Sequence, residues 1–298
     1  AVCRAGAGES NLPLYSYLQK LSENKKLTLP VPLVLLLEGG RHAKNSSDFQ
    51  EFMIFSKAEN FKESFADCSQ IYKIIGNILK SKKFQTNLGY EGAYCPNLRN
   101  NERYFELVVN GIETCYNLKE ISIAIDSAAS EFYENGDYSL KMDKKTFNSE
   151  GLHDFYKSLI KKYPIKSIED PFDQNDWESW KLFTKDFGKK LNIVGDDLTA
   201  TNPKKIKLVI KEKACNAFII KPNQIGTISE TINAFKTAKS ANLKAIISHR
   251  SGETNDSFIS DLAVGLGVEF IKAGSPSKTE RLAKYNRLLE IEKELNGY

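Results

Sequence analysis

The chain has 298 residues, of which 41% are hydrophobic, so it can bury the core of one large domain or of two modest ones. Its 42 basic and 38 acidic residues give a net charge of +4, which is too balanced to favour nucleic acid as a partner. No apolar run approaches the ~20 residues of a membrane span, and the first residues lack a signal-peptide pattern. The five cysteines form no CxxC pair, which favours reduced thiols in a cytoplasmic protein over a disulfide framework or a zinc site.

The chain begins with a helical segment that a stiff connector separates from the first strand. Apolar residues at helical spacing predict a helix from Ala1 to about Leu21, broken at Pro13. Pro30 and Pro32 form the connector, and the apolar run Leu33 to Leu37 predicts the first strand. We expect residues 1–28 to form a separate small unit and residues 29–298 to form the main domain.

Two strands and two helices come next, before any regular alternation. Phe52 to Phe55 predicts a second strand, reached through a glycine-containing loop at residues 39–45. Phe61 to Leu79 and Glu102 to Tyr116 predict amphipathic helices. Further on, Asn135-Gly136-Asp137 is a tight-turn signal and predicts a small hairpin. A hairpin-like start of this kind departs from a strictly alternating α/β barrel.

Six apolar runs end in an ionisable side chain, and five of these endpoints are spaced by roughly the ~25 to 30 residues of one βα unit. The endpoints are Asp126, Glu169, Asp196, Lys221, His249 and Lys272. Parallel strands that are each followed by a helix predict an α/β fold closed into a (β/α)8 barrel. Because such barrels carry their active sites at the carboxyl ends of the strands, we expect the six side chains to meet at one mouth.

Three of these endpoints are acids on successive strands, namely Asp126, Glu169 and Asp196. Three carboxylates at one point repel one another unless a cation lies among them, and all-oxygen ligation suits Mg²⁺ better than zinc. The simpler interpretation is that each acid caps the helix that follows it. The run of three, with two lysines beyond, favours the metal site.

The two strand-end lysines, Lys221 and Lys272, predict a base for proton abstraction from carbon, since a nearby dication lowers the pKa of an ammonium group. The tripeptide His249-Arg250-Ser251 follows a strand and precedes a helical pattern. An arginine, a hydroxyl and backbone N–H groups at a helix start predict an anion site, most simply for phosphate. By spacing alone, Glu51 and Glu91 are structural, and His153 has no assigned role.

Several long stretches resemble the enolase family over essentially the whole chain. These are residues 167–173 (SIEDPFD), 194–199 (VGDDLT), 220–226 (IKPNQIG), 248–254 (SHRSGET), 50–54 (QEFMI), 128–133 (AASEFY) and 280–286 (ERLAKYN). The resemblance implies an enolase-type TIM barrel that starts with two strands and two helices and continues in regular βα units. It also implies a Mg²⁺-dependent lyase of glycolysis and gluconeogenesis that interconverts 2-phosphoglycerate and phosphoenolpyruvate.

The resemblance assigns roles by position. Lys221 is implied as the base that removes the α-proton and Glu91 as the acid that protonates the departing hydroxyl. Asp126, Glu169 and Asp196 are implied as Mg²⁺ ligands. The implied substrate-binding residues are His42 on a closing loop, Glu51, Ser248, His249, Arg250 and Ser251 at the phosphate end, and Lys272 at the substrate carboxylate.

The sequence departs from the family pattern in three places. Residues 1–28 match only the last helical part of the family's N-terminal domain, and whether the rest of that domain lies upstream stays open. The family's usual Asn-Gly-Gly-Ser-His-Ala-Gly-Asn is replaced by residues 38–45 (EGGRHAKN), and the usual Gly-Asp-Glu-Gly-Gly by residues 89–93 (GYEGA). Because the N-terminal domain contributes to the usual dimer contact of the family, the question of whether this chain forms a homodimer stays open.

These departures leave alternatives to a working enzyme. One is an enolase-derived barrel with weak or no turnover that acts as a scaffold or interaction subunit. Another is a different reaction of the same superfamily, which Arg250, Ser251 and Glu91 argue against. Retention of every side chain in a costly cluster of charges favours the enzyme.

Overall fold

The structure is a computed structural model that describes residues 1–297. In these residues there are eleven strands and eleven α-helices. The strands are β1 (Val31–Glu38), β2 (Glu51–Ser56), β3 (Ile121–Asp126), β4 (Tyr133–Glu134), β5 (Asp137–Leu140), β6 (Lys145–Phe147), β7 (Ile165–Glu169), β8 (Asn192–Gly195), β9 (Ala217–Ile220), β10 (Lys244–Ser248) and β11 (Phe270–Lys272). The helices are α1 (Val2–Glu9), α2 (Leu14–Ser22), α3 (Phe61–Ser81), α4 (Glu102–Glu113), α5 (Ser149–Lys162), α6 (Trp177–Phe187), α7 (Pro203–Glu212), α8 (Pro222–Ile225), α9 (Ile228–Lys239), α10 (Phe258–Leu266) and α11 (Thr279–Leu295).

Eight strands close into a barrel in the order β1, β11, β10, β9, β8, β7, β3, β2, which confirms the predicted α/β barrel. Strand β2 is antiparallel to both of its neighbours, β1 and β3. The segment between β1 and β2 holds a 3-10 turn at Gly40–His42 and no crossover helix, so β2 returns antiparallel. The start with two strands and two helices is therefore confirmed as well.

A small sheet of three strands follows β3 and lies outside the barrel. Its first turn is the predicted one, with positive φ at Asn135 (53°) and Gly136 (96°). The sequence predicted only a hairpin here, whereas β6 adds a third strand by pairing with β5. Tyr138 of β5 is fully buried against the barrel, and this anchors the small sheet.

The barrel interior below the mouth is apolar. Its buried side chains are Leu33, Leu35, Met53, Ala93, Ala124, Val194, Ala217, Ile219 and Ile246. A second and larger cluster fills the layer between the strands and the outer helices. Charged groups at the carboxyl ends of the strands therefore lie on an apolar floor that excludes water from below, and this strengthens their mutual interactions.

The first two helices pack onto the barrel at α10. A side chain on Gly265 would place its Cβ 2.7 Å from the Cβ of Leu18, so the close approach requires glycine there. Leu18 is fully buried in this contact. The division of the chain at residues 28 and 29 stays a prediction. Across residues 1–297, every helix is too short or too polar to cross a lipid bilayer.

Candidate active site

The six strand-end side chains predicted to converge lie at one end of the barrel, around a cavity of about 370 Å³. Eleven of the twelve predicted site residues line this cavity: His42, Glu51, Glu91, Asp126, Asp196, Lys221, Ser248, His249, Arg250, Ser251 and Lys272. The twelfth, Glu169, is 2% exposed and lies behind Lys272. The cavity is therefore built from side chains of both signs, most of them buried.

Lys272 lies at the centre of the acidic side of the cavity. Its Nζ is 2.9 Å from Oε1 of Glu169, 3.0 Å from Oδ2 of Asp126 and 3.0 Å from Oε2 of Glu51. Burial by itself would lower the pKa of this ammonium group, but the three carboxylates raise it well above its usual value. Lys272 is therefore a buried cation that neutralises part of a carboxylate cluster.

Lys221, at the end of β9, forms an ion pair with Asp196 at the end of β8. Burial would lower the pKa of Lys221, but the facing Asp196 carboxylate raises it. The sequence predicted lowered pKa values for both lysines beside a dication. Among the described residues, carboxylates are the nearest charges and raise both pKa values, so the lowering expected beside a dication stays a prediction.

The carboxyl groups beneath the cavity are costly to ionise. Burial raises the pKa of Glu169 and of Glu51 well above the usual value, and the neighbouring carboxylates add to the shift, while Lys272 opposes it. Oδ1 of Asp196 is buried and has no hydrogen-bond partner among the described residues. An all-oxygen set with an unpaired buried oxygen fits a hard cation such as Mg²⁺.

Three-residue groups of ligand atoms within 4.8 Å of one another occur twice in residues 1–297. One group is Asp170, Asp196 and Asp197, and the other is His42, Glu51 and Glu91. The predicted set of Asp126, Glu169 and Asp196 is not one of them, because the Lys272 ammonium lies between Asp126 and Glu169. A role for these three acids as Mg²⁺ ligands therefore stays a prediction.

His249 connects a buried arginine to Glu91. The guanidinium of Arg281 lies 2.6 Å from Nδ1 of His249, and because it can only donate, Nδ1 is the acceptor and Nε2 carries the ring proton. Nε2 lies 3.0 Å from Oε2 of Glu91. Burial lowers the pKa of His249, in keeping with a neutral ring. Burial would raise the pKa of Glu91, but its contacts with His249, His42 and Lys272 lower it, so this carboxyl is ionised.

Comparison with known proteins identifies the family. The family described as "Enolase, C-terminal TIM barrel domain" matches residues 26–298. "Enolase" from Solanum lycopersicum is 46% identical over 307 residues, covering 100% of this chain and 69% of that protein. "Enolase 2" from Hevea brasiliensis is also 46% identical, over 308 residues, with the same coverage. The chain belongs to the enolase family.

Glu38, at the position where the enolase family usually has asparagine, holds the loop that carries Glu91. Its Oε1 accepts the backbone N–H groups of Ala93 at 2.7 Å and of Glu91 at 3.0 Å. Lys278 holds the same loop by donating to the carbonyl oxygens of Gly89 and Tyr90, both at 3.0 Å. Glu91 thus reaches the cavity although it lies in the α3–α4 connection and not at a strand end.

We expect Glu38→Gln to remove the stability that the parent loses when the buried Glu38 carboxyl group ionises. Burial raises the pKa of Glu38 from 4.5 to about 7, so the folded chain binds this proton more tightly than the unfolded chain. The contribution of Glu38 to the free energy of unfolding is therefore most favourable below pH 4.5 and falls as the pH rises towards 7. Urea unfolding should show the variant gaining roughly 2 kcal/mol on the parent between about pH 5 and about pH 8. Glu134→Gln, at an exposed position, is the control, and an equal difference at both pH values would contradict the assignment.

The loop that carries His42 is tied across the cavity in two places. Nε2 of His42 lies 2.9 Å from Oγ of Ser251, and Nε of Arg41 lies 2.6 Å from Oε2 of Glu131. Arg41 stands where the family usually has serine, so the second tie comes from one of the departures. Tyr90, the other large side chain that differs from the family pattern, is 66% exposed at the rim of the cavity.

The segment at Arg250 and Ser251, where the sequence predicted a phosphate site at a helix start, has a different backbone structure. Helix α10 begins at Phe258 and not directly after Ser251, so the expected helix start is wrong. The backbone N–H of Arg250 donates to Oε1 of Glu253 at 3.1 Å and is not free for an anion. What remains is the Arg250 guanidinium, 2.9 Å from Oδ1 of Asn223, and the Ser251 hydroxyl. An anion site here stays a prediction, with the Arg250 guanidinium and the Ser251 hydroxyl as its side-chain donors.

Spacing alone missed several residues that shape the cavity. Asp170 accepts the backbone N–H groups of Asp196 and Asp197 at 2.9 Å each, and it has a φ of 42°, a strained value for a residue with a side chain. Nε2 of Gln50 lies 3.2 Å from Oδ2 of Asp126. Asp170 and Gln50 lie next to Glu169 and Glu51, which are among the predicted site residues. A second polar residue at the end of a strand was therefore the pattern that could have predicted them. Arg281, on α11, has no such signal.

Proposed function

We propose that the chain interconverts 2-phosphoglycerate with phosphoenolpyruvate and water, as an enolase-type lyase that depends on Mg²⁺. Membership of the enolase family supports the lyase class. The observation that carries the finer proposal is that Lys221 and Glu91 line the same cavity. They come from different parts of the barrel, since Lys221 follows β9 and Glu91 lies in the connection between α3 and α4. A base and an acid that approach from different directions suit the removal of a proton and a hydroxyl from adjacent carbons.

The charges in the cavity support a division of labour. Arg250 and Ser251 would bind the phosphate, while Lys272 would contact the substrate carboxylate. Mg²⁺ held by Asp126, Glu169 and Asp196 would supply positive charge that stabilises the negative charge developing on that carboxylate. Arg281 would hold His249 with its N–H towards Glu91, which fixes the side chain that exchanges a proton with the hydroxyl.

The charges that face Lys221 and Glu91 suit the hydration direction. The Asp196 carboxylate raises the pKa of Lys221, and contacts with His249, His42 and Lys272 lower the pKa of Glu91, in both cases against the effect of burial. A protonated Lys221 can donate to the carbon next to the carboxylate, and an ionised Glu91 can take a proton from the attacking water. Dehydration requires the opposite states. It starts once Lys221 has lost its proton and Glu91 has gained one.

The deciding experiment follows phosphoenolpyruvate formation from 2-phosphoglycerate by ultraviolet absorbance, with and without Mg²⁺. We expect turnover that a chelator abolishes and added Mg²⁺ restores, and we expect Glu91→Gln to lower it because the amide cannot protonate the hydroxyl. Glu134→Gln, at an exposed position outside the cavity, is the control and should keep most of the activity.

The alternative function, a scaffold barrel without turnover, rests on Tyr90 and the altered His42 loop. If the chain stays inactive even when fused to the N-terminal domain of an enolase, the scaffold is favoured. Activity only in that fusion would instead show that the N-terminal domain is required. A homodimer and a cytoplasmic location remain proposals from the family resemblance.

A further inference from the structure

We propose that His42, Glu51 and Glu91 form a binding site for a divalent transition-metal ion of the zinc type, separate from the carboxylates proposed for Mg²⁺. One ligand atom from each of the three residues lies within 4.8 Å of the others. Nδ1 of His42 is 3.6 Å from Oε1 of Glu51 and 3.8 Å from Oε1 of Glu91. Ligand atoms about 2.1 Å from a tetrahedral zinc ion lie ~3.4 Å apart, so small side-chain shifts would complete the site.

The histidine nitrogen that faces the two carboxylates is unpaired. Among residues 1–297, Nδ1 of His42 is buried and has no hydrogen-bond partner. The other ring nitrogen, Nε2, is 2.9 Å from the Ser251 hydroxyl. If Nε2 donates there, Nδ1 presents its lone pair to the carboxylates. A buried nitrogen that faces two carboxylates is stabilised either by a cation bound between the three groups or by a proton shared among them.

The outer oxygens of the two carboxylates lie beside nitrogen atoms. Oε2 of Glu51 is 3.0 Å from Nζ of Lys272, and Oε2 of Glu91 is 3.0 Å from Nε2 of His249, at ion-pair distance but without hydrogen-bond geometry. These contacts leave Oε1 of each carboxylate facing His42. Residues that orient metal ligands from outside in this way raise the affinity of a site, because the ligands need little reordering on binding. Glu51 and Glu91 are each only 2% exposed, so the surrounding side chains also restrict their movement.

The donor set selects the class of ion. One imidazole nitrogen and two carboxylate oxygens form a set that zinc accepts, with a fourth position open towards the cavity. Mg²⁺ prefers oxygen ligands in an octahedral arrangement and binds imidazole poorly. Excess Mg²⁺ should therefore fill the all-oxygen site without displacing zinc from this one.

Zinc binding has a consequence that rests on the proposed function. The ion would occupy Glu91, which could then no longer exchange a proton with the substrate hydroxyl. It would also hold the His42 loop against the cavity. We therefore expect zinc to inhibit turnover at saturating Mg²⁺, and a zinc-selective chelator to reverse the inhibition.

The test measures binding directly and needs no turnover, so it stands even if the proposed reaction fails. Zinc is titrated into the chain in a large excess of Mg²⁺ and followed by calorimetry. We expect a single ion per chain, and at least ~tenfold weaker binding in Glu51→Gln and in His42→Asn. His153→Gln is the matched control, since His153 also lies beside carboxylates, 3.1 Å from Asp186 and 3.8 Å from Asp154, but through different ring nitrogens.

Several results would overturn the site. These are zinc binding unchanged in both His42→Asn and Glu51→Gln, complete displacement by Mg²⁺, or loss of binding in His153→Gln. X-ray absorption of the zinc-loaded chain gives a second measurement. One imidazole and oxygen neighbours at ~2.0–2.2 Å would support the site, whereas sulfur neighbours would assign the ion to a cysteine. If Glu51→Gln fails to fold, His42→Asn decides, because His42 lies on a surface turn.

Discussion

Replacing Lys221 with alanine is expected to lower the rate of phosphoenolpyruvate formation by ~10²–10⁴-fold, the usual contribution of a positioned base. Lys221 is the basic group at the end of β9, and its ammonium faces Asp196 at the cavity. Alanine leaves no group there that can take the proton. Steady-state kinetics should show the loss mainly in kcat, because the phosphate contacts of Arg250 and Ser251 are untouched.

Lys211→Ala is the control for this variant, since that lysine lies on α7 with 80% of its side chain exposed. Exchange of the substrate α-hydrogen with deuterated water gives a second readout. It should stop in Lys221→Ala and continue in Glu91→Gln, because only the base breaks the carbon–hydrogen bond. Full activity or full exchange in Lys221→Ala would reject Lys221 as the base.

Replacing Lys272 with methionine is expected to lower the free energy of unfolding by about 3–5 kcal/mol at neutral pH, the cost of breaking a buried ion pair on one side. Methionine fills a similar volume but leaves Asp126, Glu169 and Glu51 without their shared cation. Urea unfolding measures the loss. The control is Lys162→Met, whose partner Glu102 is exposed, and it should leave the urea midpoint unchanged.

The effect of Lys272→Met should shrink as the pH falls. The pKa values of Glu51 and Glu169 are already well above the usual value, chiefly because of burial, and removing Lys272 raises them further. Protonated carboxyl groups cost less to bury, so the folded variant binds protons more tightly than the unfolded chain and gains stability in acid. A loss that is constant with pH would show that lost packing, and not charge, dominates.

The local pattern was enough to predict most of the fold. Short apolar runs that end in charged residues, at the spacing of one βα unit, predicted the strands from β3 to β11 that close the barrel. Barrel strands present their carboxyl ends at one face, and this rule correctly predicted that Asp126, Lys221 and Lys272 lie around one cavity. These inferences succeed because strand period and strand direction are local properties of the chain.

Other parts of the site depend on contacts that no spacing reveals. Glu91 lies in the connection between α3 and α4, and it reaches the cavity because Tyr94 pairs with Leu37 of β1 and Glu38 accepts the loop's N–H groups. Arg281 comes from α11 and turns its guanidinium onto His249. By spacing alone Glu51 and Glu91 were interpreted as structural, and only the family resemblance assigned roles to them.

The structure also corrected one inference from the sequence. The tripeptide that ends in Ser251 is followed by a loop and not by a helix, because Glu253 takes the backbone N–H of Arg250. The lowered lysine pKa values expected beside a dication stay a prediction, because the charges that face Lys221 and Lys272 among the described residues are those of side chains alone.

The sequence by itself determined the barrel, its unusual start and the positions of the charged strand ends, since these follow from the hydrophobic period and from motifs along the chain. Only the tertiary structure decided which charges neutralise one another, which histidine nitrogen carries the proton and which acids lie beside His42. Those properties depend on distances of a few ångströms between residues far apart in sequence. In a buried site, such distances set the electrostatic energies.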